Sequence, residues 1–165
     1  MEYKDAKQKF IQAWGTLGSN WGINKAMAQI HALLLLSIDP LSTEEIMSEL
    51  QMSRGNVNMN VRALMDWGIV KKEHRVGERK EYFSTGKDIW DLARQVSRER
   101  KRREIEPVLN VLQEIQTVTG EDRKTIAEFK KVTRELYDFT TKIDGVMEKF
   151  GKSDQNWFYK ILMKL

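Results

Sequence analysis

Leu41 to Thr85 reads LSTEEIMSELQMSRGNVNMNVRALMDWGIVKKEHRVGERKEYFST, two short helices followed by a two-stranded ribbon. Ser42 with Glu45 three residues on is a capping box, which satisfies orphan N–H groups at the first turn of a helix. Ile46, Met47 and Leu50 give that helix one buried face. Met52-Ser53 breaks the pattern, and Ser53 is a good N-cap for a second helix from about Arg54 to Trp67. Gly68 ends it as a residue that can take positive φ. Val57, Val61, Leu64 and Met65 form the apolar stripe of this second helix. The remainder is Arg54, Asn56, Asn58, Asn60 and Arg62. Asparagine is a poor helix former, so three in five positions give up local stability to place amides beside guanidiniums. Those are the groups that bond adenine and guanine edges; the alternative is a solvated, asparagine-rich face.

The ribbon narrows the choice. Ile69 to Arg75 and Lys80 to Ser84 are strand-like runs around Val76-Gly77-Glu78-Arg79, with Gly77 as the turn residue. The hairpin tip carries Arg75, Arg79 and Lys80. A helix-turn-helix followed directly by a basic hairpin is a winged-helix arrangement, in which one helix enters the major groove and the wing lies over flanking phosphates or the minor groove.

These residues resemble a known family. From about Gly22 to Phe83 the chain is similar to MarR-type winged-helix regulators, and within them to the branch named for the GbsR repressor of glycine betaine synthesis. The resemblance is carried by GINKAMAQIHALLLLS before the motif, LSTEEIMSEL-QMSRGNVNMNVRAL-MDWGIV within it and GERKEYF in the wing. It implies a mainly α fold with a small β-wing, built as a winged helix-turn-helix domain plus a helical dimerisation region. The implied function is that of a homodimeric, sequence-specific regulator, taken to be a repressor, on a palindromic site in double-stranded DNA. Arg54, Asn56, Asn58 and Asn60 are the candidates for base contact, Ser42, Thr43 and Ser53 for phosphates, Arg75, Arg79 and Lys80 for anchoring the wing, and Arg62 is a further DNA-binding candidate. A small-molecule effector bound between the dimerisation region and the reading heads would control it. The competing class is a winged helix that docks proteins without reading DNA.

Composition agrees with this choice. Net charge is +4, and the excess is local: 14 basic and 7 acidic residues lie between Arg54 and Arg103, against 4 and 6 before and 10 and 11 after. Counterion release from a polyanion requires such a concentration of charge. The chain has 165 residues, 41% of them hydrophobic and 32% charged, enough for one domain with an oligomerisation element. No apolar run approaches the roughly 18 residues of a membrane span, and Met1 to Phe10 is no signal peptide, so a cytoplasmic protein is expected. There is no cysteine, and the two histidines, His31 and His74, stand apart from any carboxylate cluster. No metal, cofactor or catalytic constellation is expected.

The boundaries follow in order. Residues 1–21 form an amphipathic helix from Glu2 to Leu17 that contributes to dimerisation, 22–86 the DNA-binding domain, and 87–165 a helical linker with dimerisation helices. Asn24 caps a helix from Lys25 to about Ser37. The betaine-synthesis repressors respond to choline, and aromatic rings hold quaternary ammonium groups, so Tyr3, Trp14, Trp21 and Trp90 are candidates for an effector cage, or else are core and interface residues. Arg98 to Arg103 holds five cations in six residues, open to phosphate contact, plain solvation or acids of a partner subunit. Phe129, Leu136, Ile143 and Phe150, with Val132, Phe139 and Val146, repeat as a heptad, open to a dimer seam or an intramolecular hairpin. Asp154 caps a terminal helix with Trp157, Phe158, Ile161 and Leu162.

Overall fold

Asn24 starts the central helix of the fold: its Oδ1 accepts from the Ala26 and Met27 amides at 2.8 and 3.3 Å. This is α2, Lys25–Leu36, and its Ile30, Leu33 and Leu34 are almost wholly buried. The protein is described by a computed structural model over residues 1–120 and 122–153; the expected terminal helix from Asp154 lies outside them. The described chain divides into two compact units, one of Met1–Leu92 and one from Ala93 on.

In the first unit α1, Tyr3–Asn20, packs along α2. It runs past the expected end at Leu17 and takes Gly18 inside the helix, because the two helices touch there. A Cβ on Gly18 would lie 2.6 Å from the Ala28 Cβ. Alanine in a helix ordinarily stabilises by about 0.5–1 kcal/mol relative to glycine. At Gly18 the overlap reverses that sign, so Gly18→Ala is expected to destabilise by about 1–3 kcal/mol, read as the shift in urea midpoint. A gain in stability would show that the helices are free to move apart.

Next come β1, Leu41–Ser42, α3, Thr43–Leu50, and α4, Arg54–Asp66. Ile46 of α3 and Val57, Val61 and Leu64 of α4 join the α2 residues in one core. The α3–α4 turn is made by Gln51, whose φ of 53° is left-handed and whose amide donates to the Ser48 carbonyl at 2.6 Å. Trp67 closes α4 and Gly68 follows at φ 69°. Strands β2, Val70–His74, and β3, Glu81–Thr85, pair antiparallel from Val70↔Thr85 to His74↔Glu81. The expected two-stranded ribbon is a three-stranded sheet of order β1-β3-β2, since Leu41 and Ser42 pair with Phe83 and Tyr82. A strand of two residues is too short to leave a period in the sequence.

α5, Ile89–Arg100, begins in the last residues of the first unit; in the second unit it is followed by a wide helical turn over Lys101–Ile105 and by α6, Glu106–Glu114. Pro107 in the first turn of α6 lacks an N–H and crowds the carbonyl four residues back, which accounts for the widening. α7, Arg123–Lys152, follows a short helical turn at Ile115–Thr117, and Asp122 caps it through the Lys124 and Thr125 amides. α6 packs along α7. Its C-terminal carbonyls meet two arginines of α5: Arg98 donates to Gly151 at 2.7 Å and Arg94 to Ser153 at 2.9 Å.

The α7 residues turned inward are Ile126, Thr133, Tyr137, Thr140, Asp144, Met147 and Gly151. Gln116 donates to Thr133 at 2.9 Å, and Lys101 sits 3.0 Å from Asp144. This row keeps the expected heptad rhythm but is displaced by one residue, about 100° around the helix. The intramolecular packing therefore uses a mostly polar row. Phe129, Val132, Leu136, Phe139 and Val146 stay 41–62% exposed, with Ile143 and Phe150 half-buried at the edge.

Candidate nucleic-acid interface

α3 and α4 are each fixed at their start by side chains that are consumed in fixing them. Ser42 and Glu45 close the capping box, with the Ser42 amide donating to the Glu45 carboxylate at 2.7 Å and the Glu45 amide to the Ser42 hydroxyl at 3.3 Å. The bonds from Ser42 hold the Glu45 carboxyl below its ordinary range. Ser42 and Thr43 are both buried, and Thr43 donates to the Asn58 side-chain oxygen at 3.4 Å. In the free chain these two hydroxyls, expected at phosphates, are turned inward: that of Ser42 caps α3 and that of Thr43 bonds Asn58 of α4. Ser53 is exposed and accepts from the Asn56 amide at 3.3 Å.

The polar residues of α4 do not form a single face. At about 100° per residue, Arg54, Asn58 and Arg62 fall within one arc, and Asn56 and Asn60 fall on the far side. Asn60 is 3% exposed and its amide donates to the Asn56 carbonyl and side-chain oxygen at 2.8 and 2.7 Å. Base contact by Asn60 is therefore corrected, and Asn56, half-buried and bonded to Asn60, shares its internal work. A period of two cannot hold one side of a helix of period 3.6. Arg54, Gly55, Met59 and Arg62 make up the exposed arc, with half-buried Asn58 between them. Arg54 lies 2.9 Å from Glu44 with both groups in solvent, a weak restraint that a stronger anion displaces. Gly55 and Met59, neither of them polar, share this arc by helical phase.

The wing is exposed throughout residues 71–80. Gly77 takes φ 84° at its tip. Arg75 stacks 3.9 Å over the Tyr82 ring, whose hydroxyl donates to the Glu78 carboxylate; that bond raises the Tyr82 hydroxyl above its ordinary range. The guanidinium is thereby tethered over the ring by cation–π attraction. Lys72 pairs with Glu81 at 2.5 Å. Arg62, Arg79 and Lys80 have no ion pair among the described residues.

The cation-rich stretch after α5 behaves differently. Arg102 and Arg103 sit 2.7 and 3.0 Å from Glu99, Arg100 3.2 Å from Glu104, and Lys101 3.1 Å from Glu106. The Arg102 and Arg103 guanidiniums hold the Glu99 carboxyl below its ordinary range. Within the single chain Arg100, Lys101, Arg102 and Arg103 pair with acids of their own unit, and Arg98 bonds Gln95 and the Gly151 carbonyl.

The four aromatic effector candidates do not converge within one chain. Tyr3 and Trp21 are largely exposed and stand at opposite ends of α1, about 27 Å apart at 1.5 Å per residue. Trp14 stacks on Phe10 at 5.6 Å and tilts against His31 at 6.4 Å, which is core packing. Trp90 is half-buried in the first turn of α5. A cleft of about 370 Å³ lies instead beside α1, α2 and the α3–α4 turn, lined among others by Lys7, Gln8, Gln12, Gln29 and Gln51.

Sheet, helix-turn-helix and hairpin together are a winged helix-turn-helix. The profile of the MarR family matches residues 21–81, which include α2, the helix-turn-helix and the loop of the wing. A solved structure described as that of a transcriptional regulator superposes with a TM-score of 0.68 at 18% sequence identity, covering 88% of this chain and 95% of that one. Among curated protein sequences none matches. No helix among the described residues is long and apolar enough to cross a membrane, and no cluster of metal-ligating side chains occurs among them.

Proposed function

We propose that this protein is a homodimeric, sequence-specific DNA-binding transcription regulator of the MarR type, not an enzyme. The observation that carries the reading is the outward arc of α4, with exposed Arg54 and Arg62 and half-buried Asn58, next to a wing whose Arg79 and Lys80 have no ion pair among the described residues. Guanidinium and amide groups on an exposed helix discriminate bases, and unpaired cations beside it neutralise phosphates. Residues 22–86 would read DNA. Residues 1–21 and 87–165 would join two copies through the outward stripe of α7, setting two α4 helices about 34–36 Å apart on a palindrome. The likeness of GINKAMAQ, SRGNVNMN and GERKEYF to the GbsR branch supports a repressor under effector control, with the cleft beside Gln51 as the effector's place.

Selection from a random duplex library tests the reading: a two-fold symmetric consensus supports it, and recovery of no consensus sinks it. The second measurement is salt. Duplex affinity should fall steeply with log salt, and Arg79→Ala should reduce the slope by about one for each chain bound. A salt-insensitive complex would favour the protein-docking alternative.

A further inference from the structure

Gly55 and Met59 lie one turn apart on the exposed arc of α4 and neither has a reason in the fold. Nothing lies within 4 Å of the place a Cβ on Gly55 would occupy. Its φ is not in the left-handed region. A glycine there weakens the helix with no return inside the chain. Met59 is 60% exposed, an apolar side chain on the face where Arg54 and Arg62 are set. Together they make a short apolar notch, with a missing side chain at one end and a flexible thioether at the other.

We infer that Met59 reads the methyl group of a thymine, and that Gly55 lets the first turn of α4 sit close enough for it to do so. This rests on the proposed DNA binding and adds the base it selects. The C5-methyl of thymine is the one apolar mark in the major groove, and apolar side chains distinguish it from cytosine. Methionine suits the task because its unbranched, polarizable chain adapts to a small apolar target. Arg54 and Arg62 beside the notch hold the helix against phosphates or guanines, and the wing fixes its tilt.

The test is a cycle between protein and base. In the selected duplex each thymine is replaced in turn by deoxyuridine, which removes the methyl and keeps every hydrogen-bonding group. Affinities are measured for the full-length wild-type chain and for Met59→Ala. At one thymine per half-site the wild type should lose about fourfold, the worth of one buried methyl. Met59→Ala should bind the thymine duplex more weakly and lose nothing further at that position. Gly55→Ala should raise the thermal midpoint of the free protein while weakening the same duplex. Equal losses in wild type and Met59→Ala at every thymine, or a consensus with no thymine beneath α4, overturn the inference and leave the DNA reading intact. Absence of any consensus overturns the DNA reading itself.

Discussion

If the proposed dimer closes through the outward stripe of α7, replacing Phe139 by glutamate is expected to convert it to monomers at concentrations where the wild type is fully paired. Phe139 is 61% exposed in the single chain, so the substitution removes nothing from the core and the fold should survive with its helix content unchanged. Its effect falls on the assembly, where a two-fold axis makes each change count twice. Two carboxylates taken from water into the stripe formed by Phe129, Leu136, Ile143 and Phe150 would weaken association by about 3 kcal/mol or more, a hundredfold or more in dissociation constant. Sedimentation over a concentration series measures it. Thr141→Glu, an exposed change on another side of α7, should leave the dimer intact. DNA binding should follow, with the palindrome losing its advantage over a half-site. A Phe139→Glu chain that sediments as the wild type would place the dimer seam elsewhere.

What the sequence disclosed and what it hid follow from the reach of each signal. Capping at Ser42, Asn24 and Ser53, the turn at Gly77 and the stripe of Val57, Val61 and Leu64 are local, and all stand in the structure where the letters put them. Placement of the candidate site residues was less legible than the fold. Arg54, Asn58, Arg62 and the wing cations are outward, whereas Asn60 is buried, because residue type was read ahead of helical phase. Ser42 and Thr43 look like surface hydroxyls in isolation, and only the pairing of β1 with β3 buries them. The heptad of α7 was visible, but not which of two rows, one residue apart, meets α6; that depends on Gln116, Lys101 and Arg98, which are distant in sequence. The five cations from Arg98 to Arg103 are conspicuous as charge, yet the acids of four of them are mostly three to five residues away, within helical reach.

Lowering the pH from about 6.5 to 4 is expected to cost the folded state about 3 kcal/mol through His31 alone. The ring is 4% exposed in the centre of α2, with Nε2 3.4 Å from the Thr85 hydroxyl and Trp14 against one side. Burial, and then the positive charge of Lys87, lower its pKa from 6.5 to about 4. Lys87 cannot withdraw easily, because its ammonium donates to the carbonyls of Leu34, Leu35 and Ser37, each at 2.7 Å, closing the C-terminus of α2. The unfolded chain takes up a proton near the ordinary histidine value while the folded chain refuses it down to about 4. The stability His31 provides is therefore complete above pH 6.5 and is lost as the pH falls through that interval, at 1.36 kcal/mol per unit of difference. Urea midpoints at pH 7.5, 5.5 and 4.5 measure it. His31→Gln removes the titrating group, so its stability should fall by about 3 kcal/mol less than the wild type's across the same range, even if its midpoint at pH 7.5 is lower. Parallel curves for the two proteins would mean that His31 takes up its proton in the folded state at the ordinary histidine value, and that the α2–β3 junction tolerates a charge that its apolar surroundings and the neighbouring ammonium should exclude.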